Sequence, residues 1–163
     1  MPTLSGGCHC GNLQVALDTE RGIRELATRA CLCSFCTAHG ARSVSDPQGR
    51  ASILIGDDSQ TSRYRFGLST ADFMVCKRCG VYVGAVMEDR DGTFCVINVN
   101  ALRARALFDG VPAQPVDYDG ESAEARVARR KRVWTPCSVR TLNRLAGSAA
   151  ASSPVLHPQE KTR

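Results

Sequence analysis

Residues 31–36, Cys31-Leu32-Cys33-Ser34-Phe35-Cys36, carry three thiols in six positions with no fourth cysteine beside them. One zinc ion can take all three as thiolates, and tetrahedral coordination then leaves one corner open for chemistry. Two further pairs flank this trio, Cys8-His9-Cys10 and Cys76-Lys77-Arg78-Cys79, and together they supply the four thiolates of a closed, structural zinc site. Two zinc ions per chain are therefore expected, one tying the N-terminus to the middle of the chain and one facing a ligand. A single ion holding both distant pairs closes a long loop and constrains the unfolded chain much as a covalent cross-link does. The competing reading of the pairs is a set of unliganded core cysteines or redox dithiols.

The rest of the composition agrees with a small metal-stapled domain. A chain of 163 residues fits one domain, and with only 6% aromatic residues its core is modest, so metal cross-links supplement burial. The first seven residues lack the basic-then-apolar pattern of a secretion signal, and no stretch approaches the roughly 20 apolar residues of a membrane span. A cytoplasmic location is expected, where close cysteine spacings mean metal or redox chemistry more often than structural disulfides. The formal charge is +5. Seven metal-bound thiolates subtract seven charges and two zinc ions return four, leaving +2, which removes most of the case for a polyanionic partner.

Alternating polarity makes Leu13–Asp18 a half-buried strand, and residues 25–30 are expected to form a second that delivers Cys31. Residues 34–39 are expected to curl as a tight turn or short helix around the trio. Asp46-Pro47-Gln48-Gly49 reads as a turn, followed by short strands over 51–55, 62–66, 72–75, 81–87 and 94–99 separated by Gly- and Asp-rich turns. Residues 121–134, acidic at the start and basic at the end, suit the dipole of one long helix that Pro136 stops. The expected fold class is mostly β, twisted antiparallel sheets stapled by zinc with one C-terminal helix. A zinc-binding domain is expected over 1–140 and a flexible tail over 141–163, since from Gly147 onward small and polar residues lack any packing period.

The remaining candidates have plainer alternatives. His39, three residues after Cys36, could close the trio as a Cys₃His centre. His9 lies between two ligands in an extended segment, so its side chain points away from their metal. Cys95 shares a strand face with Ile97 and Val99 and reads as a buried, inert thiol; Cys137 has no partner at metal spacing. Gly6, Gly7, Gly11 and Gly80 fit backbone turning tightly beside a metal.

Gly6-Gly7-Cys8-His9-Cys10-Gly11, then Cys31-x-Cys33-Ser34-x-Cys36, then Tyr64-Arg65-Phe66 and Phe73-x-x-Cys76-x-x-Cys79-Gly80 resemble the glutathione-dependent formaldehyde-activating enzyme family, which includes the centromere protein V relatives. The resemblance covers roughly residues 3 to 110. It implies a twisted Mss4-like β fold, a structural zinc at Cys8, Cys10, Cys76 and Cys79, and a second zinc at Cys31, Cys33 and Cys36 near a glutathione site. Leu32 stands where the family often has histidine, and Thr37 where a basic or amide residue is common, both in the region a thiol would approach.

The function expected on this footing is a carbon–sulfur lyase-type enzyme. The open zinc site of Cys31, Cys33 and Cys36 is its catalytic group, and it adds glutathione or a similar thiol to formaldehyde or another small aldehyde to give an S-hydroxymethyl adduct. The partners are then a small-molecule thiol and aldehyde, with no membrane and no nucleic acid; oligomeric state leaves no mark in the sequence. Arg63, Arg65, Lys77 and Arg78 could hold the carboxylates of glutathione, although arginines on strand edges are more often simply solvated. The alternative function is a zinc-stabilised binding module without catalysis, resting on the five cations of residues 126–132, which otherwise read as the solvated basic face of a helix. A thioredoxin-like role for Cys76-x-x-Cys79 lacks the βαβ context it requires.

Overall fold

The alternation in Leu13-Gln14-Val15-Ala16-Leu17-Asp18 turns Leu13, Val15 and Leu17 to one buried face, and these six residues form strand β2 (Leu13–Asp18). It pairs antiparallel with β1 (Thr3–Gly7) on one side and β5 (Arg50–Ile55) on the other. In the computed structural model, which describes residues 1–142, the strand that follows in space comes from the far end of the chain. That strand is β11 (Thr135–Thr141), parallel to β5 over Cys137–Thr141 and antiparallel to β9 (Gly92–Asn98) at Thr135 and Pro136. Along β9 the pairing then passes to β4 (Ser43–Ser45), which pairs with β3 (Ala27–Cys31), itself parallel to β10 (Gln114–Val116). From the other edge of β9 extends the meander β8 (Tyr82–Asp89), β7 (Asp72–Cys76) and β6 (Thr61–Tyr64).

Over the described residues the protein is mostly β with one main helix, α2 (Ala123–Val133), and one short α-helix, α1 (Ser34–Ala38). The sheet is mixed rather than purely antiparallel, because β10 and β11 return to pair in parallel with strands made much earlier. Strands expected over 25–30 and 62–66 are shifted or shortened to β3 and β6, and β1, β4, β10 and β11 were not anticipated. Pro136, expected only to stop the helix, lies inside β11 where it leaves β9 for β5; a residue without an N–H is tolerated at such a change of partner. Of the segment expected as a tail, Thr141 belongs to β11 and the Leu142 N–H bonds the Ile55 carbonyl at 2.7 Å; the remainder, from 143, lies outside the described residues.

Two apolar cores result. The larger gathers Leu13, Leu17, Ile53, Ile55, Met74, Ile97 and Phe108 between the strands, each fully buried side chain contributing about 1.5–3 kcal/mol. The smaller, around Ala85, Met87, Val96 and Trp134, lies on the other face of β8 and β9, under Val127 and Val133 of α2. Two hydroxyls fix where α2 meets β11: Ser45 Oγ donates to the Val133 carbonyl at 2.6 Å, and Thr135 Oγ1 accepts from the Asp46 N–H at 2.8 Å.

Candidate functional site

Of the glycines flanking the cysteine pairs, Gly11 and Gly80 turn the backbone through positive φ of 80° and 74°. Gly6 serves a close approach instead. A Cβ there would lie 2.1 Å from the Ala101 carbonyl oxygen, so β1 can approach that turn only as glycine. These close passages bring Cys8 and Cys10, after β1, against Cys76 and Cys79, at the end of β7. The four sulfurs all lie within 4.8 Å of one another. Cys8 and Cys10 are separated by 3.7 Å and Cys10 and Cys76 by 3.4 Å. A tetrahedron of sulfurs at about 2.3 Å from zinc has edges of roughly 3.8 Å, whereas a disulfide requires about 2.05 Å. The donor set therefore fits a tetrahedral metal ion, and all nine cysteines are free thiols.

The trio is built by a strand end and a helix start. β3 ends at Cys31, Cys33 caps α1, and Cys36 lies within it, so the Thr37 N–H to Cys33 carbonyl bond of 3.0 Å wraps the chain around the three sulfurs. These also lie within 4.8 Å of one another, and among the described residues no fourth His, Cys, Asp or Glu ligand atom joins them. His39 is engaged elsewhere: its Nδ1 is 2.9 Å from the Phe35 carbonyl and its ring centre lies 4.3 Å from that of Phe35. Phe35 is itself the centre of a ring cluster, with Phe73 at 4.9 Å, Tyr82 at 5.1 Å, Phe66 at 5.4 Å and Tyr64 at 5.6 Å.

In each sulfur group one thiol is drawn below the ordinary cysteine value. A hydrogen bond from Cys36 draws Cys31 down to about 5, and the same bond pushes Cys36 upward. In the other group burial raises Cys8 to about 12, while Cys79, despite burial, is drawn down to about 6 by the backbone N–H groups of Cys10 and Val81. Several thiolates at such separations require a cation among them.

A cavity of about 390 Å³ opens over the trio, near the lower end of the range for small-molecule sites. A β-bulge shapes it. Val75 pairs with Tyr82 and Met74 with Gly84, so Val83 is the extra residue of β8. This shift lets Tyr82 and Ala85, three apart, both line the cavity while Val83 and Val86 enter the core. Tyr82 is 5% exposed, and burial, reinforced by the nearby Cys36, Cys33 and Cys31, holds its phenol protonated well above the usual value. Its backbone carbonyl accepts from Asn98, but its hydroxyl has no partner among the described residues.

The opposite wall is α2. Its basic run is solvated only in part: Arg132 is exposed, but Arg126, Arg129 and Arg130 line the cavity, joined by Arg29 from β3. Arg129 Nε donates to Glu121 at 2.6 Å and Arg126 Nε to its other oxygen at 3.2 Å, while Lys131 pairs with Asp89 and Asp91. By contrast Arg63, Arg65, Lys77 and Arg78 do not line the cavity; Arg63 pairs with Asp58, Arg65 with Asp72, and Lys77 bonds the Ser59 carbonyl. Arg29 was missed, although its spacing two residues before Cys31 would have placed it on the same strand face; nothing local marked α2 or Tyr82 as walls of the cavity. Cys95 is buried as expected, and Cys137 proves to be its neighbour: a hydrogen bond between the two thiols, with burial, raises Cys95.

The profile of a family described as glutathione-dependent formaldehyde-activating enzyme matches residues 3–113, more than half of the chain. The chain belongs to that family. Of the elements described above, the formaldehyde-activating family match includes both sulfur groups and Tyr82, and stops short of α2 and β11. Among solved structures, the chain is similar to a Rhodobacter sphaeroides protein determined as a structural genomics target. The TM-score is 0.53 at 25% identity, over 69% of this chain and 100% of the other.

Proposed function

We propose that the protein is a carbon–sulfur lyase-type enzyme that joins a thiol, glutathione or a close analogue, to formaldehyde or another small aldehyde. The observation that carries this reading is the trio: three sulfurs within 4.8 Å, no fourth ligand atom among the described residues, and a cavity above them. In this reading Cys8, Cys10, Cys76 and Cys79 hold a structural zinc, and Cys31, Cys33 and Cys36 hold a second. A zinc ion held by these three sulfurs would supply positive charge that favours a substrate thiolate over the thiol.

The chain's own residues account for the remaining steps. The ring cluster around Phe35 keeps water from one side of the sulfurs. The α2 wall confines the substrate, so that thiol and aldehyde meet at near-attack distance rather than by diffusion. The substrate sulfur forms a bond to the carbonyl carbon, the carbon–oxygen π pair moves to oxygen, and the proton lost by the thiol ends there as the hydroxyl of the S-hydroxymethyl adduct. Tyr82, neutral and unpartnered, donates a hydrogen bond to that oxygen as charge develops. The reverse sequence cleaves the carbon–sulfur bond and returns the aldehyde.

Metal analysis of the purified chain is expected to give two zinc ions per molecule. With cobalt replacing zinc, addition of glutathione is expected to change the visible spectrum, unaltered in its response by His39→Ala. Two metals whose spectra ignore glutathione would reduce the protein to a stapled scaffold.

A further inference from the structure

Arg29 and Arg130 differ from the other cations around the cavity. Arg126 and Arg129 share Glu121, but no carboxylate lies within 4.0 Å of Arg29 or Arg130 among the described residues. Their hydrogen bonds to side chains go to neutral hydroxyls: Arg29 Nη2 to Ser45 Oγ, and Arg130 Nη1 to Thr70 Oγ1 at 2.7 Å. Arg130 is 7% exposed, with its guanidinium 4.7 Å from the centre of the Trp134 ring. Burial lowers both, Arg130 to about 10. Glu121 acts on Arg130 only from beyond ion-pair distance; a guanidinium removed from water without a paired carboxylate is unfavourable, and an anion entering the cavity relieves it. The carboxylates that do line the cavity, Asp117 and Asp119, are exposed, and Asp117 is occupied by the N–H of Asp119 at 2.9 Å.

The position of these groups relative to the trio follows from the backbone. Arg29 and Cys31 stand two residues apart on β3, on one face and roughly 6.5 Å apart along the strand. Arg130 comes from α2, beyond the family-matched residues 3–113. We propose that Arg29 and Arg130 form a carboxylate-binding subsite in the cavity of Cys31, Cys33 and Cys36, selecting substrates that carry a carboxylate. This rests on the trio acting on a thiol and an aldehyde, and either reactant can bring the carboxylate. Guanidinium suits this role because its planar donors match a carboxylate's two oxygens.

Calorimetric titration of the zinc-loaded full chain compares glutathione with its diethyl ester, which keeps the thiol and masks both carboxylates. Glutathione is expected to bind at least roughly tenfold tighter, as for charge-assisted bonds in a dry site, and Arg29→Gln to reduce its affinity to that of the ester. That outcome supports the subsite with the thiol as the source. Equal binding of the two thiols, with glyoxylate bound roughly tenfold tighter than neutral glycolaldehyde and that preference lost in Arg29→Gln, supports it with the aldehyde as the source. Equal thiols and equal aldehydes overturn it. Arg130→Met tests the second guanidinium, and ester binding verifies that the variant is folded. The cobalt spectrum separates the two ideas: a spectral response to both thiols without discrimination removes only the subsite. Discrimination with a silent spectrum removes the activated-thiol reading and leaves the subsite standing.

Discussion

Single side chains determine what the cavity can do, and Tyr82 is the clearest case. Its ring packs on Phe35 and Phe73, while its hydroxyl, with no hydrogen-bond partner among the described residues, is free in the proposed reading to donate to the substrate. Tyr82→Phe is expected to leave the melting temperature and the cobalt response to glutathione intact while lowering turnover roughly 10²-fold, the usual effect of removing one positioned donor. Steady-state kinetics beside a melting curve would check it. The cysteines were legible because each must lie at ligand spacing, and so close a run of thiols has few uses other than holding a metal or exchanging electrons. Tyr82 was not legible, since a tyrosine in an apolar strand looks like core until the extra residue Val83 re-aims it.

At the scale of elements, two of the α2 arginines that line the cavity are held by one carboxylate just before the helix. Hydrogen bonds first from Arg129 and then from Arg126 hold Glu121 below the usual carboxylate range. A folded-state value below the unfolded one contributes stability that is complete above about pH 4.3 and lost as pH falls through the lowered value. Trp134, the only tryptophan, caps α2 and packs beneath it. Its fluorescence is therefore expected to change as pH drops below about 4.3, and Glu121→Gln to produce the same change at pH 7. Strands with strict alternation, β2 and β5, were readable, whereas β4 and β10 have three residues each, too few for any period. The charge run of α2 announced a helix but not its orientation, because inward and outward basic faces have the same sequence until something is found to cover them.

For the whole molecule, the two sulfur groups are expected to respond differently to loss of a ligand. Metal binding at a closed four-sulfur site amounts to roughly 10–16 kcal/mol, against a total domain stability of about 5–15 kcal/mol. Cys76→Ala is expected to abolish cooperative folding, read by circular dichroism. Cys33→Ala is expected to leave a folded chain that carries one metal and has lost thiol binding. The central position of β11 also fixes the order in which the fold can be completed. During synthesis β5 and β9 leave the ribosome long before the strand that joins them, so each waits with an unpaired edge open to other nascent chains. Translation speed and chaperone supply then bear, beside the thermodynamics of the finished protein, on how much of it a cell recovers in usable form.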